Sequence, residues 1–344
     1  MIIMRVTIQQ IADLAGVSRG TVDRVLHDRG RVDPEVAQKV IDIARSSGYT
    51  AQANSKKAAK SRRIGIITFL SERVFMSEIN RGIEQAAEEL SQWGIEVLVE
   101  KCTDLNAAEQ AQAIDRLSQQ DISGLAIMPV DSDLIRAKLN ALSDERHIPI
   151  ITFNTDIVGT RRLCFLGMDN KRSGQVAAGL MGMLTQGSGT VLVLTGSFAN
   201  NAYSLRVDGF IEELKTSYPS MKIAGVQCAF DNKDETEIMI ESALLNSSGI
   251  SGILMTSAGQ DGVEAAFRKL NLKSRPYVIL YDVTPCTKNA LNHNVADFVI
   301  SQDLFHQGYN AAYALANILV KNQYPAREYL YSDIDIKTKY NISA

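Results

Sequence analysis

The sequence predicts a small all-α helix-turn-helix head followed by an α/β body of two doubly wound parallel-sheet subdomains. Three observations carry that expectation. Residues 6–26 read as two short amphipathic helices on either side of a glycine. From Ile64 onward, short continuous apolar runs alternate with amphipathic stretches, the pattern of parallel strands covered on both faces. Those runs number about ten, more than one sheet comfortably holds.

Thr7 stands three residues before Gln10, the spacing at which each side chain satisfies the other's orphan N–H at a helix start. Ile8, Ile11, Ala12 and Ala15 then recur at i, i+3, i+4 and i+7, one apolar stripe of a short helix. Gly16 supplies the left-handed residue that stops it. Ser18 caps a second helix, with Val22, Val25 and Leu26 inward and Arg19, Gly20, Asp23 and Arg24 outward. A third helix starts at the N-cap Asp33, with Pro34 at the first helical position, where its missing N–H costs nothing. Ala37, Val40, Ile41 and Ala44 give it a closing face, Gly48 ends it, and Tyr49 folds back on the bundle. So small a core is marginal, and the head, residues 1–49, is expected to be the least stable domain.

Residues 50–63 form a different material, with no large apolar side chain and five basic residues among the eight from Lys56 to Arg63. They read as a solvated linker in the free protein and as a short helix when ordered against phosphates, Ala53, Ala58 and Ala59 permitting the helix. The body, residues 64–344, carries apolar runs at 64–69, 97–99, 124–128, 148–153, 164–167, 191–194, 223–226, 252–255, 278–281 and 298–300. Helical stretches such as 79–93, 108–119, 173–184, 205–215 and 304–320 separate most of them. Between 155 and 162 two runs follow one another without a helix, which places the subdomain break there. The first subdomain is then about 64–161 with 303–330, and the second about 162–302 with 331–344.

Charge is unevenly shared. Residues 1–63 carry 12 Lys and Arg against 6 Asp and Glu, a net of +6, while the remainder carries −9. A basic head on an acidic body suits a head that meets a polyanion. The Met-Ile-Ile-Met start is too short for a signal peptide, and no apolar run approaches a membrane span, so a cytoplasmic protein is expected. Cys102, Cys164, Cys228 and Cys286 lie far apart and read as reduced, mostly buried thiols. No GxGxxG follows the first strand, no Walker lysine loop is present, and the four histidines have no metal spacing. No enzyme and no cofactor are expected, and no pair of carboxylates stands out as acid and base.

In doubly wound sheets ligands bind at the carboxyl ends of the strands. The polar residues placed there include Asp131 and Ser132 after the third run, Asn154 and Thr155 after the fourth, and then Ser257, Asp282 and Gln302. For Asp131 and Ser132 a helix-cap role competes with ligand binding. Phe75 and Phe230 are available to lie on an apolar ring face. Such a set suits a neutral polyhydroxylated molecule.

The head, with VTIQQIADLAGVSRGTVDRVL followed by GRVDPEVAQKVIDIARSSGY, resembles the DNA-binding domain of the lac repressor family. The body, through LAIMPVDSD, IPIITFNTD, RVDGF, ILYD and VISQD, is similar to that family's effector domain, itself like the periplasmic ribose-binding proteins. The resemblance implies a type I periplasmic-binding-protein-like body and a homodimeric repressor that binds operator DNA under control of a sugar or polyol. It puts phosphate contacts on Thr7, Ser18, Thr21 and Tyr49 and base reading on Arg19, Gly20 and Arg24, with Asp23 where Ser is common. Arginine takes guanine O6 and N7 bidentately. Ala51-Gln52 replaces the family's Pro-Asn pair and Ala58 its wedging Leu, so Lys56, Lys57 and Lys60 are expected to contribute phosphate attraction instead. In the cleft, Asp282 and Gln302 match the sugar-binding relatives. Asn154-Thr155 stands for their Asp-Arg, Ser204 for an Arg and Ser257 for an Asn, while Arg206 is retained. A ligand-binding receptor without a DNA role and a sugar-active enzyme are the competing classes.

Overall fold

The computed structural model describes residues 7–26, 32–46, 62–70, 74–103, 105–198, 200–247, 249–272 and 274–342, without the side chains of 45–46 and 74–75. Tyr49, Lys56, Lys57, Lys60 and the Phe75 side chain therefore lie outside what is described. The chain divides into two compact units, Met1–Lys60 and Ser61–Ala344.

The first unit holds α1 (Ile8–Ala15), α2 (Arg19–Leu26) and α3 (Pro34–Ser46). Thr7 and Gln10 make the reciprocal cap: Gln10 N donates to Thr7 Oγ1 at 3.3 Å and Thr7 N to Gln10 Oε1 at 2.8 Å. Gly16 closes α1 at φ 71°, a left-handed conformation that costs glycine little. Ser18 Oγ accepts from Thr21 N at 3.1 Å, and Asp33 Oδ1 from Glu35 N at 2.9 Å. Ile11, Ala12, Ala15, Val22, Val40 and Ala44 form the core.

The second unit begins with β1 (Arg62–Phe69), α4 (Val74–Ser91), β2 (Ile95–Cys102), α5 (Ala107–Gln119), β3 (Gly124–Ile127), α6 (Asp133–Arg146), β4 (Ile150–Phe153) and β5 (Cys164–Met168). It continues with α7 (Asn170–Leu184), β6 (Gly189–Thr195), α8 (Asn201–Ser217), β7 (Met221–Cys228), α9 (Lys233–Asn246), β8 (Ile250–Met255), α10 (Asp261–Leu270), β9 (Tyr277–Tyr281), α11 (Pro285–Asn292) and β10 (Phe298–Ser301). Last come α12 (Leu304–Lys321), β11 (Tyr329–Ser332) and β12 (Asp335–Lys337). One sheet has the order β11-β5-β4-β3-β1-β2, all parallel, and the other β12-β10-β9-β8-β6-β7, parallel except for β12. All ten apolar runs are strands. The two strands added at the end are short, with no fully buried residue, and carry no continuous apolar signal.

The subdomain break differs from the expectation. β5 pairs with β4 in the first sheet, with Ile151 opposite Cys164, so the chain first crosses after Met168 rather than near residue 162. The loop between β4 and β5 does without a helix because it is internally braced. Arg162 Nε and Nη2 each donate to the Asp156 carboxylate at 2.6 Å, and Arg136 Nε donates to Val158 O at 2.8 Å. Burial works against the Arg162 charge, but the Asp156 hydrogen bonds and charge outweigh it and hold the guanidinium pKa above its ordinary value. The chain crosses back at Gln302, between β10 and α12, and a third time between β11 and β12. The return to the second sheet thus comes after Ser332, not at 331. Arg62 and Arg63 also prove to be strand rather than linker: they pair with Ile95 and Glu96 in the ladder, and Arg63 Nε binds Glu96 Oε2 at 2.8 Å.

In both subdomains glycines bring helices into backbone contact. A Cβ on Gly82 of α4 would lie 2.1 Å from Phe305 O, and one on Gly308 of α12 would lie 2.3 Å from Ile79 O. In the second subdomain, Gly174 of α7 and Gly209 of α8 make the same mutual approach to Arg206 O and Lys171 O.

Candidate nucleic-acid interface and ligand cavity

In the first unit, the caps at Ser18 and Gly16 fix where α2 starts and which side it buries. Val22 goes fully into the core. Arg19, Gly20 and Arg24 are exposed together on the opposite side, whereas Asp23 is half-buried, so the outward set is narrower than the expected four. A Cβ on Gly20 would meet nothing closer than 3.8 Å, so the surrounding helix does not require glycine there. The hydroxyls of Ser18 and Thr21 are hydrogen-bonded to each other at 2.8 Å beside the exposed Thr21–Ser18 turn. Two guanidinium groups and a patch of hydroxyls on one rigid helix can engage base edges and phosphates.

In the second unit, a cavity of about 1190 Å³ opens between the carboxyl ends of the two sheets. Six of the expected residues line it: Asn154, Thr155, Arg206, Phe230, Asp282 and Gln302. Asn154 and Asp282 are the first residues after β4 and β9, and both sit at positive φ, 61° and 64°. Phe230 and Asp231 hold φ of 51° and 57° in the turn after β7. A bulky aromatic in that conformation, 67% exposed at the cavity wall, is the kind of local strain that accompanies binding sites.

Arg206 is 3% exposed and held from several sides. Its Nε donates to Asn170 Oδ1 at 2.9 Å and Nη1 to Thr256 O at 2.8 Å, while Nη1 lies 4.0 Å from Asp282 Oδ2. Its guanidinium also covers the Tyr281 ring, 4.3 Å from the centroid. Burial pushes the Tyr281 phenol up to about 12, although the Arg206 charge pulls the other way. Gln302 Nε2 donates to Asp282 Oδ1 at 2.9 Å.

Four expected ligand residues are not brought to the cavity. Asp131 Oδ1 accepts from Arg136 Nη2 at 2.7 Å at the surface, and Ser132 caps α6 through Ile135 N at 3.3 Å, so the cap role wins there. Ser204 lies one residue past Tyr203, which does line the cavity; the helical turn between them swings the Ser204 hydroxyl toward Phe198 O, 3.1 Å away. Ser257 is buried just behind the wall formed by Ala258, Gly259 and Gln260. The structure adds Asn106, Asp231, Lys233 and Asp261 to the lining. Each stands at a loop-to-helix junction after a strand, the same signal that singles out Asp282. Cys286 also lines the wall; burial, with the Asp261 carboxylate beside it, pushes its thiol pKa far up. Among the described residues no group of three or more His, Cys, Asp or Glu is placed to hold a metal ion. Nor is any described helix long and apolar enough to cross a membrane.

Residues 64–323 match the family described as periplasmic binding protein domain, and residues 7–52 match bacterial regulatory proteins, lacI family. The chain is 28% identical over 214 residues to the HTH-type transcriptional repressor PurR of Edwardsiella ictaluri, covering 61% of this chain and 60% of that protein. It is 31% identical over 160 residues to a sucrose operon repressor of Klebsiella pneumoniae, 44% of either chain. The matched segment thus spans less than two thirds of these relatives. In fold it is similar to GanP, a glucose-galactose binding protein of Geobacillus stearothermophilus, with a TM-score of 0.75 at 19% identity over 83% of this chain and 100% of that one.

Proposed function

We propose that this chain, which belongs to the periplasmic binding protein domain family and carries a lacI-family head, is a transcriptional repressor whose operator affinity is set by a small polar effector. The observation that carries the reading is the joint exposure of Arg19, Gly20 and Arg24 on a short helix fixed by its caps. The PurR and sucrose-repressor relatives support it. Two heads of a homodimer would each address a major-groove half-site, giving a near-palindromic operator in the cytoplasm, with no cofactor.

The effector belongs in the cavity between the sheets, where Asp282, Gln302 and Asn154 offer hydrogen bonds and Phe230 an apolar face. A sugar or polyol fits that chemistry. Thr155 adds a hydroxyl, bonded to Pro129 O at 3.1 Å.

A gel shift with the DNA upstream of the protein's own gene tests the DNA role; a chain that retards that fragment no better than random DNA is not a repressor. A thermal-shift screen over sugars and polyols, repeated with Asp282→Ala, tests the cleft. The substitution is expected to abolish the ligand response and leave ligand-free operator affinity unchanged. A normal response in Asp282→Ala removes Asp282 from the site.

A further inference from the structure

Gln307 of α12 is 3% exposed and joins the two sides of the cavity floor. Its Oε1 accepts from Asn154 Nδ2 at 2.9 Å and its Nε2 donates to Gln302 Oε1 at 3.0 Å. Gln302 passes the chain on to Asp282. The terminal members occupy equivalent places in the two sheets. Asn154 N donates to Leu166 O of the neighbouring strand at 2.9 Å, and Asp282 N to Ile300 O at 2.8 Å. Both hold left-handed backbone. Three consecutive side-chain hydrogen bonds therefore tie one strand end to its counterpart.

The direction of donation follows from chemistry. A carboxylate only accepts, so Asp282 draws the NH2 of Gln302 and turns the Gln302 oxygen toward Gln307. Gln307 must answer with its own NH2, which turns its oxygen to Asn154. Asn154 must then give one N–H of its NH2 to Gln307, which fixes the side of the amide on which Oδ1 stands as an acceptor for a ligand. In a low-dielectric interior such chains polarise one another and resist reversal.

We propose that Gln307 is a specificity-determining positioning residue: it relays the charge of Asp282 to Asn154, so that the floor presents acceptors at both ends. The cavity accordingly selects ligands that donate from two separated hydroxyls. This rests on the polyol reading given above.

Calorimetric titration of the full chain with D-arabinose, D-ribose, D-galactose, sucrose and myo-inositol identifies a binding sugar. The monodeoxyfluoro forms of that sugar then replace each donating hydroxyl by fluorine, which cannot donate. In the wild type, at least two exchanges are expected to weaken binding tenfold or more. In Gln307→Met, where Asn154 is free to turn its NH2 to the ligand, the penalty of one of these exchanges is expected to fall below threefold while the other stays. Gln307→Glu keeps an acceptor for Asn154 Nδ2 but cannot donate to Gln302 Oε1, so it is expected to hold the Asn154 orientation through its own carboxylate rather than through Asp282. An unchanged pattern in Gln307→Met overturns the relay. Should that variant not fold, Gln307→Leu is read by the same criterion: loss of one penalty supports the relay and an unchanged pattern overturns it. If none of the sugars or polyols binds the wild type, the polyol reading fails and takes the relay with it.

Discussion

Asp131 and Asp282 are both acids that follow a strand, and only the second reaches the cavity. What separates them is local: Arg136, five residues on, claims Asp131 at the surface, while Asp282 is turned inward by its left-handed backbone and met by Gln302. The strand-end rule therefore locates Asn154, Thr155, Asp282 and Gln302 from sequence, but it contains nothing about which ends acquire a nearby partner. Ser204 shows a second limit, since one residue of helical phase separates it from the lining Tyr203. Gln307 is illegible for a different reason. A buried amide inside a helix has no spacing signal, and its meaning comes from residues 153 and 5 positions away. In the head, where each cap and turn is local, Arg19, Gly20 and Arg24 can be read directly as outward, and only Asp23 of the expected four proves half-buried. Arg19→Ala is expected to cost about 1–3 kcal/mol of operator affinity and to relax base preference. Competition gel shifts against random DNA check this, because equal loss on both makes Arg19 a phosphate contact.

At the scale of elements, continuous apolar composition reveals every strand buried in the middle of a sheet. The short, half-exposed β11 and β12 lack that pattern, since edge strands need not be apolar. The missing helix between β4 and β5 mimics a subdomain break because parallel neighbours normally need a long crossover. Here the Arg162–Asp156 pair braces the loop instead. The start of β1 has a consequence for DNA binding. Replacing Lys56 and Lys57 by Gln is expected to flatten the dependence of operator affinity on salt by roughly 0.9 for each phosphate no longer neutralised. Arg63→Gln is expected to leave the slope unchanged, because Arg63 is already committed to Glu96 and to Gln120 O. Affinities measured across a salt series decide between the two. The α4–α12 pair carries its own pH signature. Hydrogen bonds from Tyr313, Gln85 and Tyr309 lower the Glu89 pKa from its ordinary 4.5. A depressed carboxylate contributes stability above its unfolded pKa and loses it as pH falls through the folded value. The melting temperature of Glu89→Gln should therefore lie below that of wild type near pH 7, with the gap closing as the pH falls from the ordinary 4.5 through the lowered folded value.

Across the whole molecule, neither the two-unit division nor the crossing of the chain between sheets is local, which is why the first crossing falls seven residues or so beyond where the sequence alone puts it. That crossing pattern also orders events during synthesis. The second sheet is built from a continuous stretch, β6 to β10, apart from the short β12. The first is not: its core includes Leu304, Ala311, Leu315 and Ile318 of α12, and its edge is β11. A ribosome that has just finished β5 must add more than a hundred residues before α12 exists, which at about 5–20 residues per second is a wait of several seconds to half a minute. During that interval Gly82 faces no partner helix and the β5 edge stands open, so the nascent first subdomain is the part that a chaperone would have to shield. Nascent chains stalled just after residue 301 are expected to be cut by protease within 62–168 while 170–301 resists, and chains extended past 332 to resist in both. Equal resistance of the two regions at the earlier stall would show that the first sheet stands without its last-made helix.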